Sequence, residues 1–366
     1  MKKICIVNFN VYCLFNPESS APMGGAELDM YTVAKGLESA YDVTVITGDW
    51  GQKEDEIFGK IHVFRSFELG KKGMLRFFRG VFLFWNNLSQ VDADVYISSG
   101  AGPEIGIIAF FCKLKKKKFI YRTASEIDCN KKYINLNGIK GLIYKYGLEN
   151  SHRIVTTVRQ HKNLLACSHS NTENKVLHIN LGIFSGNKQE QGKDSVLWVG
   201  RCDSLKNPDA YIDIAKYISD YKFVMICPRQ KHNSDYFEEI KRKAESLPNM
   251  TFIDFVPFKD IQPYFDKSKI FVNTSDFEGF TYTLIQSGLA RTPVVYLNVN
   301  PDEVITKHNI GYVADGDKEK MAEQISMLLN DEKDWKEKSE NAFRYVKENH
   351  DINIVGEQWK NLLEEI

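Results

Sequence analysis

A carboxylate beside a glycine, just ahead of a predicted helix, is the clearest chemical feature of this sequence. Glu278 and Gly279 follow a strand-like apolar run at 270–272 and a polar turn, and helical spacing begins soon after them. The first turn of a helix leaves backbone N–H groups unpaired and can hold an anion, and Gly279 permits close approach. A carboxylate at that point would accept hydrogen bonds from hydroxyl groups, as on a sugar. Glu278 could equally be a simple helix cap, and the local sequence leaves both open.

Two cations occupy a similar position earlier in the chain. Arg201 follows the strand-like run 195–199 and Gly200, and Lys206 precedes Asn207-Pro208 and a further predicted helix. Breaking a bond between a sugar and a diphosphate builds negative charge on the leaving oxygens. Preorganised cations stabilise that charge more in the transition state than in the ground state. An anion site and a polyol site together describe a nucleotide-sugar.

These residues resemble the retaining glycosyltransferases of the GT-B fold, family 4. Glu278, Gly279 and Phe280 with position 286 resemble that family's E-x7-E region, and the stretch from Gly200 to Pro208 resembles its G-R-x4-K-N-P pattern. The resemblance implies that Arg201, Lys206 and Glu278 carry catalysis. It places Arg201 and Lys206 on the donor phosphates and Glu278 at the donor sugar.

The same resemblance assigns the substrate-binding positions. Backbone at Gly279, Phe280 and Thr281 would meet the diphosphate, and position 286 would hold the ribose. Here the family's second Glu is Gln286, which can still bond hydroxyls but without charge assistance. We expect this change to affect donor affinity more than reaction class.

Further substrate-binding positions are implied on other loops. Met23 to Glu27 matches the family's GGAE loop near donor phosphate and acceptor, and a second loop follows the predicted strand 119–122. Loops after parallel strands are where such folds place chemistry. The positions implied are Gly24 and Gly25 in the first loop, Ser125, Glu126 and Asp128 in the second, and Arg229 and Val256 on the nucleobase side.

Length and the order of elements predict the architecture. A chain of 366 residues exceeds the size at which single cores usually stop growing, so two domains are expected. Strands alternating with helices predict doubly wound parallel sheets, and the Gly24-Gly25 pair does not form a G-x-G-x-x-G fingerprint. The resemblance implies an α/β protein of the GT-B fold, with two Rossmann-like domains facing a cleft. Residues 1–184 would bind the acceptor and 185–352 the nucleotide-sugar, with a polar linker at 185–194 and a final helix, 353–366, crossing back.

Composition indicates the class of protein and the cellular compartment that suit this chain. Hydrophobic residues make up 43% and charged residues 26%, as in ordinary globular proteins. Met1 to Lys3 leads directly into a strand-like run without a secretory signal, and no stretch approaches the roughly 20 apolar residues of a membrane span. The seven cysteines show no C-x-x-C spacing, which argues against zinc and a disulfide framework and favours a reducing cytoplasm. The resemblance implies no catalytic metal and no cofactor besides the donor.

Charge is unevenly distributed between the two halves. Residues 1–184 carry 24 Lys and Arg against 17 Asp and Glu, a net +7, and the remainder carries −7. The stretch 70–88 interleaves Lys71, Lys72, Arg76 and Arg79 with aromatic residues, and four lysines follow at 115–118. This pattern is typical of segments that lie on anionic membranes, and equally of a core helix with a solvated basic end. The first interpretation predicts peripheral contact with the cytoplasmic face of a membrane.

The sequence therefore predicts a retaining glycosyltransferase. It would move a sugar from a nucleoside-diphosphate sugar to a glycan or lipid-linked glycan in cell-surface polysaccharide synthesis, without a nucleic-acid partner. A catalytically inert homologue that binds nucleotide-sugar or glycan is the alternative, supported by Gln286. A sugar-nucleotide epimerase would need acid–base carboxylates around the sugar, and the set of Arg201, Lys206 and Glu278 does not resemble that arrangement.

Overall fold

The computed structural model describes residues 1–68, 74–169, 172–184, 192–230 and 233–366. The chain divides into two compact units. Unit 1 comprises Met1–Phe184 together with Asp351–Ile366, and unit 2 comprises Ser185–His350. Lys71, Lys72 and most of the predicted linker lie outside the described residues.

Unit 1 alternates strands and helices along the chain. Its elements are β1 (Lys3–Val7), α1 (Tyr12–Phe15), α2 (Gly25–Leu37), β2 (Asp42–Thr47), β3 (Asp55–Phe58), β4 (Ile61–Arg65), α3 (Met74–Val91), β5 (Val95–Ser99), α4 (Pro103–Lys115), β6 (Lys118–Arg122), α5 (Lys132–Leu136), α6 (Gly138–Asn150), β7 (Arg153–Thr156), α7 (Gln160–Ser168), β8 (Val176–His178) and the C-terminal α15 (Ile352–Glu364).

The unit 1 sheet has eight strands in the order β3-β4-β2-β1-β5-β6-β7-β8. Each strand pair is parallel except β3 with β4, which form an antiparallel hairpin. Strand order therefore reverses between β1 and β5, where the crevice outside the carboxyl ends is the usual ligand site of doubly wound sheets. Separate apolar clusters cover the two faces of the sheet.

The C-terminal helix is held in unit 1 by glycines and a buried ion pair. Gly36 of α2 and Gly356 of α15 approach so closely that a Cβ on Gly356 would lie 3.2 Å from the Gly36 carbonyl oxygen. Arg122 at the end of β6 is fully buried, donates to both carboxylate oxygens of Asp29, and lies 5.6 Å from the Trp359 ring of α15. It also donates to the Ile179 carbonyl at 2.7 Å.

Unit 2 continues the alternation. Its elements are β9 (Ser195–Val199), α8 (Pro208–Tyr217), β10 (Lys222–Ile226), α9 (Ser234–Glu245), β11 (Met250–Ile253), α10 (Phe258–Lys267), β12 (Ser268–Asn273), α11 (Tyr282–Leu289), β13 (Val294–Tyr296), α12 (Val304–Lys307), β14 (Gly311–Val313), α13 (Lys318–Asn330) and α14 (Glu332–Asn349).

The unit 2 sheet is parallel throughout, in the order β11-β10-β9-β12-β13-β14. Its first strand, β9, is central, and the chain adds strands to one side and then to the other. Strand order thus reverses between β9 and β12. Two parallel-sheet units of this kind confirm the predicted α/β fold class.

Some elements were not anticipated from the sequence. The β3–β4 hairpin and the α5–α6 pair carry no strong periodic signal, since these segments are short or apolar on more than one side. Across the described ranges, no helix is both long and apolar enough to cross a bilayer.

Candidate functional site

The loops that follow β9 and β12 meet at the point of strand reversal in unit 2. Because β9 and β12 are hydrogen-bonded neighbours, with Trp198 opposite Val272, the residues just beyond them lie side by side. One loop carries Arg201 and Lys206, and the other carries Glu278. Residues predicted from separate motifs are therefore brought together by strand pairing.

Lys206 and Glu278 form the central contact of this site. The Lys206 ammonium donates to Oε1 of Glu278, and the Ser275 hydroxyl donates to the same oxygen at 2.8 Å. Both side chains are largely buried, with 20% and 13% of their surfaces exposed. Within the described part of the chain, Oε2 of Glu278 has no donor, so it remains able to accept a hydrogen bond from a ligand.

A second layer of contacts fixes these two loops against each other. Thr274 receives a hydrogen bond from the Trp198 indole at 2.9 Å and donates to the carbonyl of Lys206 at 2.8 Å. The Asp276 amide donates to the Leu205 carbonyl at 2.9 Å, and Asp203 caps the turn by accepting from the Lys206 amide. The position of the Lys206 backbone is therefore set by neighbours from β12 as well as by its own loop.

Gly200 is required by close packing at the end of β9. A Cβ there would lie 2.9 Å from the Trp198 indole, closer than real Cβ contacts come. Since the indole also holds Thr274, a side chain at position 200 would disturb the support of both loops.

Helix α11 begins later than the sequence suggested, and Glu278 does not cap it. The cap is Thr281, whose hydroxyl accepts from the Leu284 amide at 3.3 Å. The capping interpretation of Glu278 is therefore wrong, because its carboxylate is engaged by Lys206 and Ser275 instead. Burial raises the pKa of Tyr296, whose hydroxyl lies 3.3 Å from the Thr281 hydroxyl.

A row of backbone donors precedes this helix. The amides of Gly279, Phe280 and Thr281 have no acceptor among the described residues. Unpaired N–H groups beside a helix start can donate hydrogen bonds to an anion such as phosphate. Phe280 packs against His350, the residue after α14, with ring centroids 4.7 Å apart and the ring planes tilted by 33°.

Gln286 lies on α11 one turn beyond the cap. It is 5% exposed, and its side-chain amide has no hydrogen-bond partner within the described ranges. The amide group is therefore able to exchange hydrogen bonds with hydroxyl groups. Because the Gln286 side chain is uncharged, its burial needs no counterion.

The other residues predicted to bind the donor are Arg201, Arg229 and Val256. Arg201 is 63% exposed and forms an ion pair with the Asp203 carboxylate at 3.5 Å. Arg229, after β10, is paired with Glu238 and lies over the Phe237 ring at 4.6 Å. Val256 follows β11 and is half-buried. Arg229 and Val256 occupy the opposite side of β9 from Glu278, at the same edge of the sheet.

The predicted residues of unit 1 lie on two loops at the carboxyl edge of its sheet. Gly24 and Gly25 are exposed, and Gly24 caps α2 in an extended conformation. Ser125 and Asp128 close a reciprocal capping box, in which the Asp128 carboxylate accepts from the Ser125 amide at 3.1 Å. The same carboxylate also accepts from the Ala124 amide at 2.6 Å.

Burial raises the pKa of Asp128 despite these hydrogen bonds. Its carboxylate is occupied by the loop itself, whereas Glu126 is exposed. The Glu126 carboxylate is exposed and accepts from the Asn130 side chain at 3.4 Å, and Asp128 shapes the backbone.

Several supporting residues escaped sequence reasoning. Ser275, Thr274, Trp198 and Asp203 hold the site, but each lacks a distinctive spacing. The one local signal was Asp203, which stands three residues before Lys206 as a turn cap would. Among the described residues, no group of three His, Cys, Asp or Glu side chains is arranged to hold a metal.

Comparison with known proteins adds a family match to the second unit. Residues 193–331 match the family described as Glycosyl transferases group 1. A protein of Campylobacter jejuni named "GalNAc-alpha-(1->4)-GalNAc-alpha-(1->3)-diNAcBac-PP-undecaprenol alpha-1,4-N-acetyl-D-galactosaminyltransferase" is 24% identical over 364 residues, which cover 94% of this chain and 96% of that protein. An uncharacterized glycosyltransferase of Haemophilus influenzae is 23% identical over 177 residues, 46% of this chain and 48% of its own.

Solved structures resemble the whole chain. Sucrose-phosphate synthase from Thermosynechococcus elongatus has a TM-score of 0.76 at 15% identity, with coverage of 100% of this chain and 99% of the other. Anabaena HepE in complex with UDP and glucose has a TM-score of 0.76 at 13% identity, and each chain is covered completely. At these identities the likeness shows the fold, which is GT-B. With the family match, the comparisons support a glycosyltransferase of this fold.

Proposed function

We propose that this chain is a retaining glycosyltransferase of family 4 that takes its sugar from a nucleoside-diphosphate donor bound to unit 2. The observation that carries this proposal is the joint placement of Lys206, Glu278 and the unpaired amides of 279–281 at the point of strand reversal. One edge of the sheet thus offers cations, open N–H donors and an open carboxylate oxygen. A sugar diphosphate needs these three kinds of partner.

The proposed donor pose follows from the groups left open. The diphosphate would accept from the amides of Gly279, Phe280 and Thr281, and Gln286 would bond the ribose hydroxyls. The ammonium of Lys206 and the guanidinium of Arg201 would stand at the leaving phosphate. Glu278 would accept a sugar hydroxyl through Oε2 while Oε1 keeps its bonds to Lys206 and Ser275.

Catalysis in this pose rests on electrostatic stabilisation. As the bond between the anomeric carbon and the diphosphate oxygen breaks, the sugar gains oxocarbenium character and the diphosphate gains negative charge. Lys206 is held in place before the reaction, so its charge stabilises the leaving group without reorganisation. We propose that the departing phosphate accepts the proton of the acceptor hydroxyl.

The acceptor side of the proposal is unit 1. Gly24 and Gly25, with Ser125 and Glu126, would contact the acceptor, and Asp128 would hold its loop in shape. Because the Campylobacter relative is named for an undecaprenol-linked substrate, we propose a lipid-linked glycan as the acceptor class. Synthesis of a cell-surface glycan on the cytoplasmic face of a membrane would be the corresponding role.

Donor binding and turnover test this proposal separately. UDP, GDP and ADP with their common sugar conjugates would be screened by thermal shift, since only ligands of the folded state raise the melting midpoint. Because HepE was solved with UDP, UDP-sugars are the first candidates. Release of the free nucleoside diphosphate would then be measured with undecaprenyl-diphosphate-linked saccharides, and NMR of the product would give the anomeric configuration.

Three results of this experiment would count against the proposal in different ways. Nucleotide-sugar binding without transfer or hydrolysis would favour the inert homologue, for which Gln286 is the observation. Inversion at the anomeric carbon would overturn the retaining assignment alone. Absence of any nucleotide binding would overturn the donor site in unit 2.

A further inference from the structure

Helix α6 of unit 1 presents apolar side chains on both of its faces. Its inner face packs on the rest of the unit through Gly141, Tyr144, Gly147 and Leu148, all buried. On the opposite face, Ile139 is 77% exposed and Leu142 61% exposed, and Tyr146 lies one turn further. Large apolar side chains grouped on the outer face of a helix indicate a surface that meets a partner.

The exposed apolar surface extends beyond α6. The ring of Tyr146 lies 6.4 Å from that of Phe110 on α4, and Phe110 lies 6.0 Å from Trp85 on α3. We call this continuous surface the outer stripe; its members are Ile139, Leu142 and Tyr146 of α6, Phe110 and Leu114 of α4, and Phe82 and Trp85 of α3.

Lysines border the outer stripe on α6. At 100° per residue, Lys140 and Lys145 fall on either side of the line through Ile139, Leu142 and Tyr146. Residues 129–150 contain four lysines and one acidic residue, Glu149, whose carboxylate lies 3.7 Å from the Lys145 ammonium, and the end of α4 adds Lys113 and Lys115 beside Leu114. An apolar centre with a basic rim is complementary to the surface of an anionic bilayer.

The stripe is presented by tightly packed helices. A Cβ on Gly106 of α4 would lie 2.1 Å from the Ile143 carbonyl oxygen, and one on Gly147 would lie 2.5 Å from the Ile105 carbonyl carbon. Such close backbone contact fixes α6 on α4, so the position of the outer stripe is set by the packing of the two helices.

We propose that the outer stripe is the surface by which unit 1 docks on an anionic lipid bilayer. Lys140 and Lys145 would lie at the phosphate level, and Ile139 and Leu142 would enter the acyl boundary. A second copy of this chain fits less well, because two identical stripes would set lysines against lysines. The proposal deepens the proposed function and rests on it for the use of this surface, which would be to reach a lipid-linked acceptor.

Vesicle binding by the full chain tests the proposal directly. The protein would be sedimented with vesicles of phosphatidylglycerol in phosphatidylcholine and with pure phosphatidylcholine vesicles, at low and high salt. We expect binding to the anionic vesicles that salt weakens. Ile139→Asn with Leu142→Asn, and Lys140→Glu with Lys145→Glu, should each lower the partition coefficient roughly tenfold or more.

Matched controls come from unit 2. Tyr217→Asn with Met327→Asn removes comparably exposed apolar side chains, and Lys333→Glu with Lys336→Glu makes the same charge change. Both controls should bind vesicles as the wild type does.

The proposal is overturned if the wild type ignores anionic vesicles at low salt, or if stripe and control variants bind alike. It is also overturned if ultracentrifugation shows a dimer that the Ile139 and Leu142 changes dissociate, since the stripe would then be a self-association face. Nucleotide binding, measured on the same samples, distinguishes failure of this proposal from failure of the proposed function. Absence of vesicle binding with intact nucleotide binding would count against the outer stripe alone. Absence of nucleotide binding with intact vesicle binding would count against the donor site alone.

Discussion

Lys206 and Glu278 are 72 residues apart in the chain and form an ion pair at the edge of one sheet. The pair exists because β9 and β12 are neighbours, so the loops after them converge. The pair joins Lys206, which is proposed to bind the donor phosphates, to Glu278, which is proposed to bind the donor sugar. Changes at either end should therefore affect both halves of a bound donor.

The two cations should differ in their effects on stability. Arg201→Ala and Lys206→Ala should each lower kcat by about 10²–10³, the range for losing one preorganised charge-stabilising group. Donor KM should change less. Only Lys206→Ala should also lower the melting midpoint, since it leaves the largely buried Glu278 without its cation, whereas Arg201 is mostly exposed. Steady-state kinetics and thermal melts of both variants would check this, and wild-type turnover in either one would contradict the placement of the diphosphate.

Restoring an acidic residue at position 286 should strengthen nucleotide binding. Gln286→Glu should tighten binding of the cognate nucleoside diphosphate by about 1 kcal/mol, because hydrogen bonds to a charged acceptor are stronger than neutral ones. Isothermal titration would measure the change. Gln358→Glu, on an exposed position of α15, makes the same charge change away from the site and should leave binding unaltered. Weaker binding by Gln286→Glu would show that this position does not meet the ribose.

Replacing Gly200, at the end of β9, should lower both stability and nucleotide binding. Gly200→Ala should destabilise the protein by about 1–3 kcal/mol and weaken nucleotide binding, because the added Cβ pushes on the Trp198 indole. Gly192→Ala is the matched control, since a Cβ there meets nothing within 4 Å. Chemical denaturation and titration of the two variants would test this, and equal behaviour would mean that Trp198 moves without cost.

The buried ion pair of unit 1, Arg122 with Asp29, should contribute far more to the free energy of unfolding than an exposed ion pair does. Asp29→Asn leaves the fully buried Arg122 without a counterion and should cost about 3–5 kcal/mol of unfolding free energy. Asp92→Asn removes a surface partner of Lys117 and should change stability by less than about 0.5 kcal/mol. Urea denaturation gives both values, and similar losses would mean that the buried pair is repaired by rearrangement.

Thiol labelling should report on the contact between α1 and the loop ahead of Gly24, since the Cys13 thiol of α1 donates to the Pro22 carbonyl. Burial, with a smaller effect of Glu27, raises the pKa of Cys13 to about 11, so little thiolate is present near neutral pH. Cys167 is exposed. With iodoacetamide at pH 8, Cys167 should label first, and labelling of Cys13 should rise steeply as the pH approaches 11. Peptide mass spectrometry would follow both residues. Rapid labelling of Cys13 at pH 8 would show that the loop opens in solution.

The sequence by itself determined much of the local structure in unit 2. Short β-branched runs such as 270–272 predicted strands, and the Arg201–Lys206 and Glu278–Gln286 patterns indicated where the chemistry would lie. The GT-B fold class, predicted from the alternation of elements and the resemblance, is confirmed. The residues of the site remain a proposal, although their neighbourhood is now defined.

Tertiary structure decided the relationships that no spacing encodes. That Glu278 pairs with Lys206 and leaves capping to Thr281 depends on β12 adding beside β9, a pairing between strands some 70 residues apart. The outer stripe was equally hidden, because an apolar residue such as Ile139 looks the same in sequence whether it faces the core or solvent. Which face is buried follows from the close contact of α4 and α6 at Gly106 and Gly147, and that contact exists only in the folded chain.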